Sequence, residues 1–298
     1  MSDPLYFVIV NYHSTELIVR LLQSIETVAI ADASNYCVIV VNNSPEDASI
    51  HHLASERFIV LESGANVGFG RACNLGIDWV YARHPEAIIW LLNPDTRLTA
   101  GALSQARNLL SNHSNLSILG TVVREPDGKV WFGGGEFVPE TGQIVALETL
   151  PEALQPDSQT AYLPAKWVTG CSLLLNLRCF PSAPHFDPDY FLYYEDFDFC
   201  LRYARQGHTI GLTGKISPIH YPSSIAGRNA HLRLQHSLYS YLLALEKHAS
   251  QQVLLTRLAR MTVSAAIALP VRPQHSFSKL KGLSHYCNRV LKQWLARF

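Results

Sequence analysis

The chain has 298 residues, 48% hydrophobic and 16% charged, with a formal net charge of zero. Such a composition fills a sizeable core and excludes a disordered chain. The length allows two average domains, or one large α/β domain with an appendage.

No apolar stretch reaches the roughly 18 to 20 residues that span a bilayer; the best, VSAAIALPV, is too short. No basic flank or secretion signal precedes the first strand-like run. Six scattered cysteines without a C-x-x-C pair predict inert, buried thiols in a reducing cytoplasm. The zero net charge hides an asymmetry. Residues 1–198 carry 23 acids and 10 Lys and Arg, whereas residues 199–298 carry one acid, Glu246, and 14 Lys and Arg. This split points to an anionic partner for the C-terminal part, or to a basic tail packed on an acidic body. Basic residues interleaved with Leu, Trp, Tyr and Phe suit a membrane surface, and no nucleic-acid motif is present.

In chain order, YFVIV (6–10) and CVIVV (37–41) read as buried parallel strands. Between them TELIVRLLQSIETV places Leu17, Leu21, Leu22, Ile25 and Val28 at helical spacing, with Ser14 or Thr15 as N-cap. RFIVLE (57–62) is a third strand, RACNLGIDWVYARH a helix and AIIWLL (87–92) a fourth strand. This alternation predicts a doubly wound, mostly parallel sheet. EPDGKVWFGGGEFV reads as a hairpin and KWVTGCSLLLNL (166–177) as a strand. After 228 the pattern turns helical, with Leu232, Leu238, Tyr241, Leu242 and Leu245 at packing positions and a break near Pro270 and Pro273.

Ligands of open α/β sheets bind beyond the carboxyl ends of the strands. There stand NYHST after the first strand, NNSPED after the second, ANVGFGRACNLG after the third and NPDT after the fourth. The two glycines of the third segment do not make a dinucleotide fingerprint, which belongs after the first strand. FLYYEDFDFC (191–200) sets Glu195, Asp196 and Asp198 among aromatic residues. Ionised carboxylates avoid such surroundings unless paired, hydrogen-bonded or metal-bound. YYEDFDFCLRYARQG reads as a loop entering a helix that ends at Gly207, with the Glu195–Asp196 pair at its N-terminus and Asp198 four residues before Arg202. Capping of the helix by all three acids is the alternative.

The ordered segments VIVNYHS, VVNNSPEDAS, NVGFGRACNLGI, LLNPDT, WVTGCSLLL, FDPDYFLYYEDFDFCLRYARQGH and IHYPSS together resemble the family 2 inverting glycosyltransferases, most closely rhamnosyltransferase-like members. The likeness covers about residues 5 to 228. It implies a GT-A fold, a mostly parallel Rossmann-like sheet flanked by helices, over residues 1–228. The nucleotide-sugar half would be about 1–100, the acceptor half about 101–228, and 229–298 a basic helical C-terminal extension. The resemblance assigns nucleotide-sugar binding to Tyr12, Asn42, Asn66, Gly68, Arg71, Asn74, Asn93 and Asp95. A helix-start cap with a tight glycine turn is the structural alternative for Asn66. Asp95 matches the last acid of the family's D-x-D-like motif, with Asn93 in place of the first acid. With His220 it would hold Mn²⁺ or Mg²⁺ against a diphosphate leaving group; Arg228 would reach a phosphate. Many relatives carry Asp at the position of Asn42, accepting from a pyrimidine N3–H; the Asn carbonyl can still accept from uracil or thymine but discriminates less, so the nucleotide identity stays open. Asp196 matches the family's general base, with Tyr193, Tyr194 and Glu195 lining the acceptor cleft.

The implied function is metal-dependent inverting transfer from a nucleotide-diphospho-sugar, dTDP-L-rhamnose being the candidate, to a glycan or lipid-linked acceptor in cell-surface polysaccharide synthesis. The expected location is the cytoplasm at the inner face of the membrane, with peripheral membrane contact through the basic C-terminal helices and no nucleic-acid partner. The alternative is a non-catalytic nucleotide-sugar-binding or scaffold subunit of a glycan-assembly complex.

Overall fold

Every residue of the first strand, β1 (Leu5–Asn11), is buried, as a central strand covered on both faces must be. In the computed structural model, which describes residues 5–155, 158–221 and 230–296, β1 lies within an eight-stranded sheet. The strands that follow are β2 (Tyr36–Asn42), β3 (Phe58–Glu62), β4 (Ile88–Leu92), β5 (Thr96–Arg97), β6 (Leu116–Thr121) and β7 (Val123–Arg124). After them come β8 (Val130–Phe132), β9 (Gly135–Val138), β10 (Gln143–Ala146), β11 (Leu163–Pro164), β12 (Ser172–Asn176), β13 (Thr209–Thr213) and β14 (Ile219–His220). The helices are α1 (Thr15–Ala31), α2 (Phe69–Tyr81), α3 (Ala102–Asn112), α4 (Glu195–Arg205), α5 (Ala230–His248), α6 (Gln251–Ala268) and α7 (Pro273–Leu295).

The main sheet runs β11-β13-β6-β12-β4-β1-β2-β3. Its β3-β2-β1-β4 half is wholly parallel. Strand β12 enters between β4 and β6 antiparallel to both. Alternation along β1 sends Leu5, Phe7 and Ile9 to one core, with Ile18, Leu21 and Ile25 of α1. Tyr6, Val8 and Val10 go to the other, with Ile77 and Val80 of α2. This is the two-residue period of a strand applied to a sheet covered on both sides.

Three readings of the sequence are corrected in detail. The stretch 125–138 holds parts of two hairpins, β7/β8 and β9/β10: Gly133 and Gly134 link β8 to β9, and the turns themselves hold Gly128 and Gly142 at positive φ. Ser14 stands at the N-cap of α1 without a side-chain cap; its hydroxyl donates to Asn11 Oδ1 at 3.0 Å instead, tying the β1–α1 loop. Cys287 and Leu232 are exposed, since each lies on the outer face of its helix. Arg228 lies outside the described residues.

The C-terminal helices join the same hydrophobic core. Leu242, Leu243 and Leu245 of α5 and Leu283 and Tyr286 of α7 pack into the cluster that contains Phe197 and Phe199 of α4. Helix α4 is further fixed to α5 by a buried polar joint. Arg202 Nε donates to Asp198 Oδ2 at 2.6 Å, and His248 Nε2 lies 2.8 Å from Asp198 Oδ1. Burial alone would push the Asp198 carboxyl up, but the His248 hydrogen bond and the Arg202 guanidinium overcome it and hold the carboxyl low. Removing one partner of a buried pair leaves the other poorly paired. His248→Ala is therefore expected to lower stability by about 2–4 kcal/mol, read in urea unfolding, with His248→Gln losing less.

Candidate active site

The site is assembled by the direction of β12. Antiparallel pairing sets Ser172, its first residue, opposite Leu92, the last of β4. The segment Thr169–Cys171 thus lies beside the loop Asn93–Thr96, and the Asn93 N–H donates to the Cys171 carbonyl at 3.0 Å. On its other flank the Gly170 N–H donates to Asp196 Oδ2 at 2.9 Å. Cys171 is pushed far up by burial and then by the charges of Asp95 and Asp196. Both acid loops therefore bear on one buried thiol.

Asp196 opens α4 beside Glu195, and the two carboxyls differ in their partners. Asp196 also accepts from the Phe197 N–H at 2.8 Å. Burial raises its basicity, and these donors offset part of the rise by favouring the ionised form. Glu195 is buried, with Oε2 lacking any partner. Burial first, and the Asp196 charge second, push its carboxyl up to about 8. Of the two, Glu195 is the carboxyl that holds a proton near neutral pH, while Asp196 has the N–H donors that favour its ionised form.

Across Cys171, Asp95 is buried and its Oδ1 has no hydrogen-bond partner. His220 reaches it from β14, which pairs antiparallel with β5, so that His220 faces Thr96. Its Nε2 stands 3.3 Å from Asp95 Oδ1, its Nδ1 is also unpartnered, and its ring packs edge-on to Trp131 with centroids 4.3 Å apart. An orphaned buried carboxylate oxygen beside an imidazole fits a divalent cation. Among the described residues no cluster of three or more His, Cys, Asp or Glu joins them. Such cations commonly take one or two protein ligands and draw the rest from phosphates and water. The cleft beside Asp95, about 560 Å³, is lined also by Leu17, Arg20, Arg97, Glu125 and Tyr221.

Several residues assigned to the donor nucleotide shape loops. Asn42 is fully buried, with Oδ1 accepting from Asn11 Nδ2 (3.2 Å) and Ser44 N (3.3 Å), and Nδ2 donating to Glu62 at 3.2 Å. Asn66 Oδ1 accepts from the Gly68 N–H and from Asn43 Nδ2; this is the capped tight turn before α2. Gly68 has φ +89°, and a Cβ there would lie 2.2 Å from the Phe191 carbonyl oxygen, so both conformation and space demand glycine. Arg71 Nε donates to the Pro188 carbonyl, and the Asn74 amide exchanges two 2.8 Å hydrogen bonds with the Phe186 backbone. Both bind the two halves together. Tyr12 is 40% exposed at the sheet edge, its ring edge-on to His13. Asn93 is half-buried, and its carbonyl accepts from the Thr96 N–H and hydroxyl.

Tyr193 and Tyr194 are both left-handed, with φ of 70° and 64°. Such backbone costs on the order of 1–3 kcal/mol for a non-glycine residue and persists only where its surroundings impose it. Tyr193 and Tyr194 are half-buried beside Glu195. The helix they introduce ends as expected, with Gly207 at φ +91°.

The profile described as Glycosyl transferase family 2 matches residues 6–173, more than half of the chain. The chain belongs to glycosyl transferase family 2. It is 26% identical over 277 residues to an N-acetylglucosaminyl-diphospho-decaprenol L-rhamnosyltransferase of Mycobacterium tuberculosis, over 84% of this chain and 86% of that protein. The rhamnosyltransferase WbbL of Escherichia coli K12 is 25% identical over 224 residues, 72% of this chain and 83% of that one. Among solved structures, GalNAc-T7 with UDP, GalNAc and Mn²⁺ superposes with a TM-score of 0.63 at 12% identity, covering 96% of this chain and 54% of that chain. The fold of this family 2 glycosyltransferase is accordingly GT-A, and its donor is a nucleotide-sugar. The non-catalytic alternative is set aside by this family membership.

Sequence reading overlooked Thr169, Gly170 and His248. The T-G-C run before a strand and a lone histidine in an apolar helix were the available signals. The proton placement has a measurable consequence. A carboxyl raised in the folded state holds a proton that the unfolded chain has lost, so stability falls as pH rises from about 4.5 toward 8. Glu195→Gln removes that loss. Thermal melts are expected to show the variant level with the parent near pH 4.5 and increasingly more stable up to pH 8, by up to a few kcal/mol.

Proposed function

We propose that this glycosyltransferase is metal-dependent and inverting, with Asp196 as its general base, dTDP-L-rhamnose as donor and a lipid-linked glycan as acceptor in cell-surface polysaccharide synthesis. The observation that carries the reading is the seat of Asp196: a carboxylate fixed by the Gly170 and Phe197 N–H groups, beside a buried Glu195 whose Oε2 has no partner. The names of the mycobacterial and E. coli relatives support the rhamnosyl donor and, for the former, a diphospho-lipid acceptor.

In this reading the acceptor hydroxyl attacks the anomeric carbon. The new C–O bond forms as the bond to the diphosphate breaks, and the hydroxyl proton passes to Asp196. A positioned base contributes roughly a hundred- to ten-thousand-fold. Tyr193 and Tyr194 wall the acceptor cleft and exclude water. Tyr12, Gly68, Asn93 and Asp95 face the donor, while Asn42, Asn66, Arg71 and Asn74 act by fixing the loops that carry them. Asp95 and His220 would hold Mn²⁺ or Mg²⁺, which when bound neutralises charge on the leaving diphosphate. Calorimetric titration with UDP, dTDP and GDP tests the donor site. One pyrimidine diphosphate is expected to bind with Mn²⁺ and to bind at least tenfold more weakly without it or in Asp95→Ala. Metal-independent binding, or none, would contradict the reading.

The same reading places the enzyme against the inner face of a membrane. No helix among the described residues is long and apolar enough to cross one. Residues 247–298 hold nine Lys and Arg and no acid. Val263 and Ile267 on α6, Val271 in the α6–α7 turn and Phe277 on α7 are 56%, 73%, 81% and 63% exposed. Apolar side chains flanked by Arg260, Arg272 and Lys281 suit an anionic lipid surface. Co-sedimentation is expected with phosphatidylglycerol vesicles and not with phosphatidylcholine vesicles. An Ile267→Glu/Val271→Glu variant should lose it while keeping nucleotide binding; unchanged sedimentation would remove the membrane contact.

A further inference from the structure

The strained turn before Asp196 is held by one helix. Along α5, Arg233 Nε donates to the Tyr193 hydroxyl at 2.9 Å. The His236 ring stacks on Phe191, with centroids 4.5 Å apart and planes 25° apart. The Tyr241 ring lies against Tyr194, with centroids 5.7 Å apart. Ser240, fully buried, donates to the Leu192 carbonyl at 2.8 Å. These positions recur at helical spacing, so one face of α5 meets each residue from Phe191 to Tyr194 in turn. From the opposite side the Phe69 N–H donates to the Phe191 carbonyl at 3.0 Å, where Gly68 leaves no room for a side chain. The loop is thus gripped between the donor-side turn and α5.

We propose that Arg233, His236 and Ser240 are positioning residues for transfer: they hold residues 191–194 in the left-handed turn that aims Asp196. The assignment rests on the reading of Asp196 as the base. None of the three is assigned to donor, metal or acceptor; each acts on the loop. Two adjacent tyrosines in left-handed backbone have more favourable conformations open to them. Without the grip the loop relaxes, the first turn of α4 turns with it, and the Gly170–Asp196 hydrogen bond loses its alignment. Catalysis is sensitive to such displacement, a misplacement of about 1 Å costing on the order of a hundredfold.

The test is steady-state transfer with the full-length enzyme, using dTDP-L-rhamnose and a diphospho-lipid-linked N-acetylglucosamine acceptor, alongside thermal melts and dTDP titration. Ser240→Ala and Arg233→Met are each expected to lower kcat about tenfold to a hundredfold. Donor KM, dTDP affinity and melting midpoint should stay near the parent's. Because Arg233 acts through the Tyr193 hydroxyl, Arg233→Met should cost little more in a Tyr193→Phe background, a coupling that a general loss of structure would not produce. Arg233 lies on an exposed helix face, so its variant carries the test if Ser240→Ala does not fold. Unchanged kcat in the variants that fold, equal losses of dTDP affinity and kcat, or additive effects of Arg233→Met and Tyr193→Phe would overturn the proposal. Asp196→Asn separates the two readings. If it retains parental transfer, the base assignment fails. If it is inactive while the α5 variants run at full rate, the α5 assignment alone fails.

Discussion

The antiparallel pairing of β12 with β4 is the constraint on which the rest of the site depends. It turns the chain so that Thr169–Cys171 arrives at the carboxyl end of β4, where ligands of an open α/β sheet collect. One face of this short segment accounts for the Asn93 backbone, and the other supplies the Gly170 N–H to Asp196. A parallel β12 would deliver the same residues to the far end of the sheet. The Asp95 loop and the Asp196 loop would then have no common support.

Upon this support the electrostatics follow from unequal hydrogen bonding. Asp196 and Glu195 are adjacent, and burial opposes ionisation of both. The Gly170 and Phe197 N–H groups donate to Asp196, while Glu195 Oε2 keeps no partner. Excess negative charge is thereby relieved at Glu195, whose carboxyl burial pushes up to about 8. Helix α5 serves twice, touching Tyr193, Phe191 and Leu192 through Arg233, His236 and Ser240 and closing the buried joint of Asp198 with His248. The first strengthens aim, the second strengthens attachment of the helix being aimed.

The parallel half was legible in the sequence because strands buried on both faces are continuous apolar runs, and β1 to β4 fall within a residue or so of their expected spans. The direction of β12 was not legible, since LLL pairs equally well either way and leaves no mark in composition. The carboxylates of the FLYYEDFDFC segment stand out by their odd surroundings, whereas the Gly170 N–H that seats Asp196 has no side-chain signature. The left-handed backbone of Tyr193 and Tyr194 was hidden for a related reason: that conformation is ordinarily announced by glycine or asparagine. Helical spacing after residue 230 showed that Leu238, Tyr241, Leu242 and Leu245 would be buried, but periodicity says which face is covered and not what covers it. Arg71 and Asn74 grip backbone more than a hundred residues away, a partnership that no local pattern records.

The central claim is that the Asp95 and Asp196 loops meet across Cys171 to form one site for transfer. Anomalous diffraction from crystals grown with Mn²⁺ and dTDP tests it most directly. The account predicts a manganese peak on the Asp95 carboxylate and His220, with the diphosphate on the metal and its sugar-bearing side turned towards Asp196. Manganese bound away from Asp95, or a nucleotide lodged where Asp196 cannot approach its diphosphate, would contradict it.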